Sequence, residues 1–390
     1  MNKIFNFLLI TGVLITPFLN IGEIYALFTG ALENQITVYT NPLIKGLKDV
    51  IFILLTFISL LNVLTNKFKL SNITIVYFFL LFFLIIPMLL TLPNANELEL
   101  FAGIRWGIPF LLLLVMYLNK GDILQRLDIN NIRKILILLF FLHFIIQIIQ
   151  FFSGISWFGL LLDRFSLRSP GMYLIPNTGA FFSTLVFLFI AFSKEKLNGI
   201  DYLLIFMISV SIIITSSGTG IVSLFVLLLL RFLPKKFLLF TPALFIVAFY
   251  FGINIVSYFR GDEYLKISGG ERIDIFLVQL SDSKILSTEM GKYTNTFMLI
   301  SPDKGKIMDS TYASILGNLG LFPFLTLQFL TIIILIKSFL LLNRTKMSLI
   351  SLIILFGATT IINETYPMNL LLVILIAKEF FFKNFKENKL

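Results

Sequence analysis

Three arginines and one aspartate are the side chains best placed to do chemistry in this chain: Arg105, Arg168, Arg272 and Asp309. A guanidinium is a planar two-pronged donor that stays charged, so three of them suit a phosphate or pyrophosphate. Arg105 lies inside an apolar run, where a charge costs about 2.5 kcal/mol or more at the bilayer centre and marks a functional position, unless the side chain snorkels to the headgroups. Arg168 belongs to Arg164-Phe165-Ser166-Leu167-Arg168-Ser169-Pro170-Gly171-Met172, which leads into Ile175-Pro176-Asn177-Thr178-Gly179. Its prolines and glycines forbid a simple helical start, and irregular backbone at membrane depth is tolerated where it lines a polar cavity; the alternative is an ordinary loop. Arg272 follows Ser268-Gly269-Gly270-Glu271, and beyond it Ile273, Phe276, Leu277 and Leu280 fall at helical spacing. This predicts a short amphipathic helix, opened by a glycine-rich turn and able to lie in a membrane–water interface. Asp309, in Met308-Asp309-Ser310-Thr311-Tyr312, stands where a long polar stretch re-enters an apolar run. A carboxylate there can orient or deprotonate a hydroxyl, and it can equally serve as a helix N-cap.

Other candidates point elsewhere. His143, with Gln147 one turn on, sits within an apolar run and reads as a buried hydrogen-bonding partner. Asp262, Glu263, Glu271 and Asp274 read as solvated loop charges, and the long polar stretch holds no Asp-x-Asp pair for a metal. The absence of cysteine and the single histidine exclude thiolate chemistry, disulfides and a His-rich metal centre. The glycine-rich stretches lack a Walker lysine.

The elements that must position these groups are membrane helices. Hydrophobic residues make up 58% of the chain and charged residues 13%, with a mean hydropathy of +0.96. Soluble domains carry roughly 25% charged residues, so lipid must be the solvent for this surface. About twelve apolar runs approach the length needed to cross a bilayer: Ile4–Asn20, Val50–Thr65, Ile73–Leu92, Leu100–Leu118, Ile135–Phe152, Tyr173–Phe192, Tyr202–Thr215, Gly220–Leu233, Phe237–Tyr258, Thr311–Ile336, Ser348–Asn363 and Met368–Phe382. The first has the short basic start of a signal peptide but no convincing small-residue cleavage site after it, and is kept as a helix. The seventh and eighth are joined by a tight Ser216-Ser217-Gly218-Thr219 turn.

The formal charge of +10 is distributed by side, which argues for topology rather than nucleic-acid binding. With the N-terminus cytoplasmic, roughly nineteen basic and six acidic residues fall inside, against roughly twelve and fifteen outside. Both termini are then cytoplasmic, and Arg105, Arg168, Arg272 and Asp309 are all outside. The expected organisation is an all-α polytopic bundle: residues 1–258 as the first nine spans, 259–308 as a large extracytoplasmic loop with short amphipathic helices, and 309–390 as the last three spans with a basic tail.

These segments together resemble the O-antigen ligase and polymerase superfamily, in dispersed motifs that are each weak alone. They are Ile104-Arg105-Trp106; Arg168-Ser169-Pro170-Gly171 with Pro176-Asn177; Ser216-Ser217-Gly218-Thr219-Gly220, which lacks the arginine often found there; and Gly269-Gly270-Glu271-Arg272, closing with Asp309-Ser310-Thr311-Tyr312 and Leu316-Gly317-Asn318-Leu319-Gly320-Leu321-Phe322. Ligases of this group usually carry a histidine near the end of the loop. Asp309 at the matching position is more similar to the Wzy-type repeat-unit polymerases. The resemblance implies a glycosyltransferase of the bacterial cytoplasmic membrane that joins undecaprenyl-diphosphate-linked repeat units into O-antigen or capsular polysaccharide, with no metal or cofactor. It implies Asp309 and Arg272 as catalytic residues, Arg105, Arg168 and Arg272 as diphosphate ligands, and Asn177, Tyr312 and Glu271 as substrate contacts. The implied partners are the lipid-linked glycan, the bilayer and a chain-length regulator. An O-antigen ligase and, from another class, a lipid-linked glycan flippase are the alternatives; a flippase should hold charge deep in several helices, whereas here the charge sits at the outer edge.

Overall fold

The computed structural model describes residues 2–29, 40–65, 70–119, 127–153, 168–173, 175–194, 196–240, 246–247, 250–251, 254, 257, 262–301 and 310–381. Asp309, most of the expected Phe237–Tyr258 span and part of the basic loops and tail lie outside them. The described residues form helices and turns without strands.

In chain order the helices are α1 (Asn2–Leu14), α2 (Ile21–Thr29), α3 (Pro42–Thr65), α4 (Leu70–Leu80), α5 (Ile86–Thr91), α6 (Glu97–Leu118), α7 (Ile129–Ser153), α8 (Pro176–Ala191), α9 (Gly199–Ile214), α10 (Gly218–Phe232), α11 (Asp262–Ser281), α12 (Asn295–Ile300), α13 (Thr311–Leu319), α14 (Leu321–Leu340), α15 (Arg344–Gly357) and α16 (Met368–Ile376). Starts are set by short polar side chains that satisfy orphan backbone N–H groups. Asn96 caps α6, Asn198 and Asp201 form a capping box on α9, and Ser217, Thr294, Ser310 and Asn343 cap α10, α12, α13 and α15. Each such cap contributes about 1 kcal/mol.

Six helical stretches are long and apolar enough to cross a membrane: Asn2–Ala26, Pro42–Thr65, Thr74–Thr91, Glu97–Leu118, Ile129–Ser153 and Leu321–Leu340. The chain is thus built as a multi-pass membrane protein. Its outward faces agree. Along α3 the exposed residues Val50, Ile53, Leu54, Phe57, Leu61 and Leu64 recur at helical spacing, as do Leu325, Phe329, Ile332, Ile333 and Ile336 of α14. Water would penalise such faces and hydrocarbon would not. At the centre, α8 is buried from Gly179 to Ala191 and α16 from Met368 to Leu375, with Phe181 stacked on Phe356 of α15. Helices apolar all round belong in such a position. Phe5, Leu9 and Val13 of α1 join the same core.

We call the end that carries the starts of α3 and α6 the upper end. At the lower end, Asp201 is buried and pairs with Arg133 at 2.6 Å and Lys194 at 3.0 Å, and Arg344 donates to the Arg231 carbonyl at 2.6 Å. Burying that carboxylate is tolerable only because both cations and the capping box satisfy it.

Three expectations are corrected. The expected Thr311–Ile336 span is two helices broken at Gly320, whose φ of +99° only glycine adopts freely. The corner is fixed by Leu321 and Phe322 N–H donating to the Lys284 and Ile285 carbonyls. Gly269 and Gly270 do not open a turn: α11 runs through them. Within α11, Ile275 and Phe276 pack inward, while Ile273, Leu277 and Leu280 are exposed, so the expected apolar face is split.

Candidate active site

Arg105 is built into the upper end by partners from distant parts of the chain. Its Nε donates to Asp49 Oδ1 of α3 at 3.0 Å, and its Nη1 donates to Thr296 Oγ1 of α12 at 2.9 Å. Thr296 Oγ1 in turn donates to Glu364 Oε1 at 2.6 Å, and the backbone N–H groups of Asn295 and Thr296 donate to the same carboxylate at 2.7 and 3.1 Å. Glu364, in the short turn Ile362–Glu364, therefore holds the start of the loop helix α12 against the bundle. Asp49, Arg105 and Glu364 border a narrow cleft also lined by Lys48, Phe52, Ile108, Pro109, Asn363 and Asn369, with free space for about one water molecule. Pro109 has no N–H to give the Arg105 carbonyl, four residues back, so the helix is locally opened beside the cleft.

The chain between α11 and α12 is docked on the same end. Met290 N–H donates to Thr91 Oγ1 and Gly291 N–H to Asn318 Oδ1, at 2.9 and 2.7 Å. Gly291 has φ +110°, and a Cβ there would come within 2.0 Å of the Glu99 carbonyl, so only glycine lets the loop approach α6 this closely. Lys292 is bonded to Glu289 at 2.9 Å. Burial disfavours its charged form, but the Glu289 hydrogen bond and the charges of Glu99 and Glu289 outweigh this and raise its pKa.

Arg168 is presented by a segment that α7 holds in place. Gln147 Nε2 donates to the Ser169 carbonyl at 3.0 Å, Gln150 Oε1 accepts from Gly171 N–H at 2.8 Å, and Ser169 N–H donates to the Ile214 carbonyl at 3.1 Å. Ser211 donates to Gln147 Oε1 at 2.6 Å. His143 is fully buried against the rings of Tyr173 and Phe182, and neither ring nitrogen has a hydrogen-bond partner among the described residues. The expected hydrogen-bonding role is therefore corrected: Gln147 and Gln150 carry it, and His143 packs.

Asn177 and the start of α13 are joined to the turn that follows α15, and Tyr312 to the last turns of α15 itself. Asn177 Nδ2 donates to the Thr359 carbonyl at 2.9 Å and its side-chain oxygen accepts from Ser217. Thr311 N–H and Oγ1 donate to the Thr360 carbonyl at 3.0 and 2.6 Å, and Tyr312 Oη donates to the Ile354 carbonyl at 3.0 Å. A few residues on, Glu364 completes the Arg105 network. Ser310, not Asp309, is the N-cap of α13, accepting from Ala313 N–H at 3.0 Å. The alternative role of Asp309 as a cap is thus filled by its neighbour. Arg272 is half-buried and Glu271 exposed on α11, which packs along α13. Asn177, Thr311 and Arg105 are thereby tied to one turn, while Arg168 and Arg272 come from separate elements at the same end.

Lys48, Asp49, Thr296, Asn363 and Glu364 were not singled out from the sequence. The apolar run starts at Val50, which leaves Lys48 and Asp49 in a loop, whereas α3 begins at Pro42 and draws them inside. Proline at the first position of the helix was the available signal. Among the described residues no group of three or more His, Asp or Glu could hold a metal ion. No protein-family model, curated protein or solved structure matches this chain, so its functional reading rests on its own residues.

Proposed function

We propose that the chain is a polysaccharide repeat-unit polymerase of the bacterial cytoplasmic membrane, with about twelve spans, both termini cytoplasmic and the upper end facing outward. The donor is a glycan on undecaprenyl diphosphate, and the acceptor is a hydroxyl of a second lipid-linked repeat unit. The acceptor oxygen attacks the anomeric carbon, the carbon–oxygen bond to the diphosphate breaks, and Asp309 takes the hydroxyl proton. Arg105, Arg168 and Arg272 bind the diphosphate and stabilise the charge that develops as it leaves. Asn177, Tyr312 and Glu271 contact the sugars. The leaving group is already activated, so the scheme needs no metal or nucleotide.

The observation that carries this reading is the turn after α15. Through it, Arg105, the loop helix α12, Asn177 and the start of α13 next to Asp309 are tied together at one end of the bundle. A loop anchored over such a site also excludes water from a reaction that hydrolysis would waste.

Deleting the gene and sizing the surface glycan tests the proposal. A polymerase mutant leaves single repeat units attached to the surface. Complete loss of attached glycan would indicate a ligase, and repeat units trapped inside the cell would indicate a flippase.

A further inference from the structure

We infer that the cleft between α3, α6 and the turn at 361–369 is an oxyanion site whose principal cation is Lys48, and that it takes one phosphoryl group of the lipid diphosphate. Assigning that group to a polyprenyl diphosphate rests on the polymerase reading; the oxyanion site itself does not.

Other half-buried cations are matched. Lys45, one turn before Lys48, pairs with Glu23; Lys292 pairs with Glu289; Arg133 and Lys194 share Asp201. Lys48 is the exception. It is half-buried and lines the cleft, yet its ammonium makes no hydrogen bond or ion pair among the described residues. Two further donors border the same space. Asn363 Nδ2 is buried without a partner, and its backbone is held by Asn369, whose Nδ2 donates to the Asn363 carbonyl at 2.7 Å. Arg105 spends Nε on Asp49 and Nη1 on Thr296, and Nη2 donates to no described residue.

Keeping the Asn363 amide away from water without a partner is unfavourable, and an oxyanion bound between it and the Lys48 ammonium would remove that cost. Two carboxylates line the cleft and their charges reach Lys48, but Asp49 accepts from Arg105 Nε, and Glu364 accepts from Asn295 and Thr296 and is committed to α12. The floor of Phe52, Ile108 and Pro109 offers an anion no competing acceptor side chain.

Depth agrees with a lipid phosphate. At 1.5 Å per residue, Lys48 lies about 9 Å along α3 from Pro42 and Arg105 about 12 Å along α6 from Glu97, in the outer part of the hydrocarbon span and within snorkelling reach of the headgroups for side chains of this length. The cleft holds about one water, so a phosphoryl group must widen it. Lys48 has the flexible side chain that can move, whereas Arg105 is fixed at two nitrogens.

The test uses the full-length protein in phosphatidylcholine nanodiscs with inorganic pyrophosphate as probe, read by calorimetry. Binding is expected, and should weaken with salt. Lys48→Met and Asn363→Asp should each weaken it by about tenfold or more, and Lys48→Arg should hold it within about threefold. In unmutated protein, pyrophosphate should protect Lys48 from amine acetylation and leave Lys45 unprotected, which needs no variant to fold. Wild-type affinity in both Lys48→Met and Asn363→Asp, or no protection of Lys48, overturns the site. Loss of pyrophosphate binding when phosphatidylglycerol replaces phosphatidylcholine means that a phospholipid head group fills the cleft, and overturns the diphosphate assignment. If Lys48→Met loses the probe but gene deletion leaves long glycans, the polymerase reading fails and the oxyanion site stands. If deletion stops polymerisation but Lys48→Met binds and polymerises normally, the inference fails alone.

Discussion

Arg105 shows what a sequence can and cannot reveal about one residue. Its charge inside an apolar run marks it at once. Its partners Asp49 and Thr296 are 56 and 191 residues away, and no local pattern encodes pairing at that distance. Arg105→Met leaves Asp49 without its cation and α12 without its bundle contact, at a cost on the order of 1–3 kcal/mol. We expect a lowered melting temperature together with loss of long glycan; wild-type chain lengths would remove Arg105 from the site. Arg168→Ala and Arg272→Ala should abolish polymerisation while membrane insertion stays normal, as measured by glycan ladder and by protein in the membrane fraction. Asp309→Asn should be close to inactive. Because Ser310 already caps α13, full activity in that variant would leave Asp309 with no assigned role.

Helices were legible as apolar runs, but their ends and breaks were not. The run Thr311–Ile336 is continuous in hydropathy, yet the chain turns at Gly320, because backbone donors from 321 and 322 reach carbonyls at 284 and 285 that no window of sequence contains. Glycine itself was ambiguous. Gly269 and Gly270 suggested a turn and lie within α11, while Gly171, in a segment read as irregular, has φ +65° and faces the His143 ring, which an added Cβ would meet at 2.3 Å. Opposite outcomes follow. Gly171→Ala should destabilise by about 1–3 kcal/mol from backbone strain alone, and more once the ring must shift. Gly270→Ala meets nothing within 4 Å and should stabilise by about 0.5–1 kcal/mol, since a helix interior favours alanine. Thermal melts of the purified protein in detergent read both; stabilisation by Gly171→Ala would contradict the packing described here.

For the molecule as a whole, the long apolar helices and their exposed apolar faces specify a membrane protein, and the proposed orientation rests on the distribution of charge between its loops. The side facing outward is testable because the chain has no cysteine, so a single introduced thiol is labelled without background. Ile285→Cys, at a position 74% exposed at the upper end, should react with an impermeant maleimide in intact cells, and Leu340→Cys, at a position 73% exposed at the lower end, only after permeabilisation. The reverse pattern would invert the topology and put the arginines on the wrong side for an external glycan. The central claim is reached most directly by purified full-length protein in proteoliposomes, supplied only with undecaprenyl-diphosphate-linked repeat units and a metal chelator. The account predicts a ladder of longer lipid-linked glycans with one undecaprenyl diphosphate released per added bond; repeat units that remain single, with no diphosphate released, would contradict it.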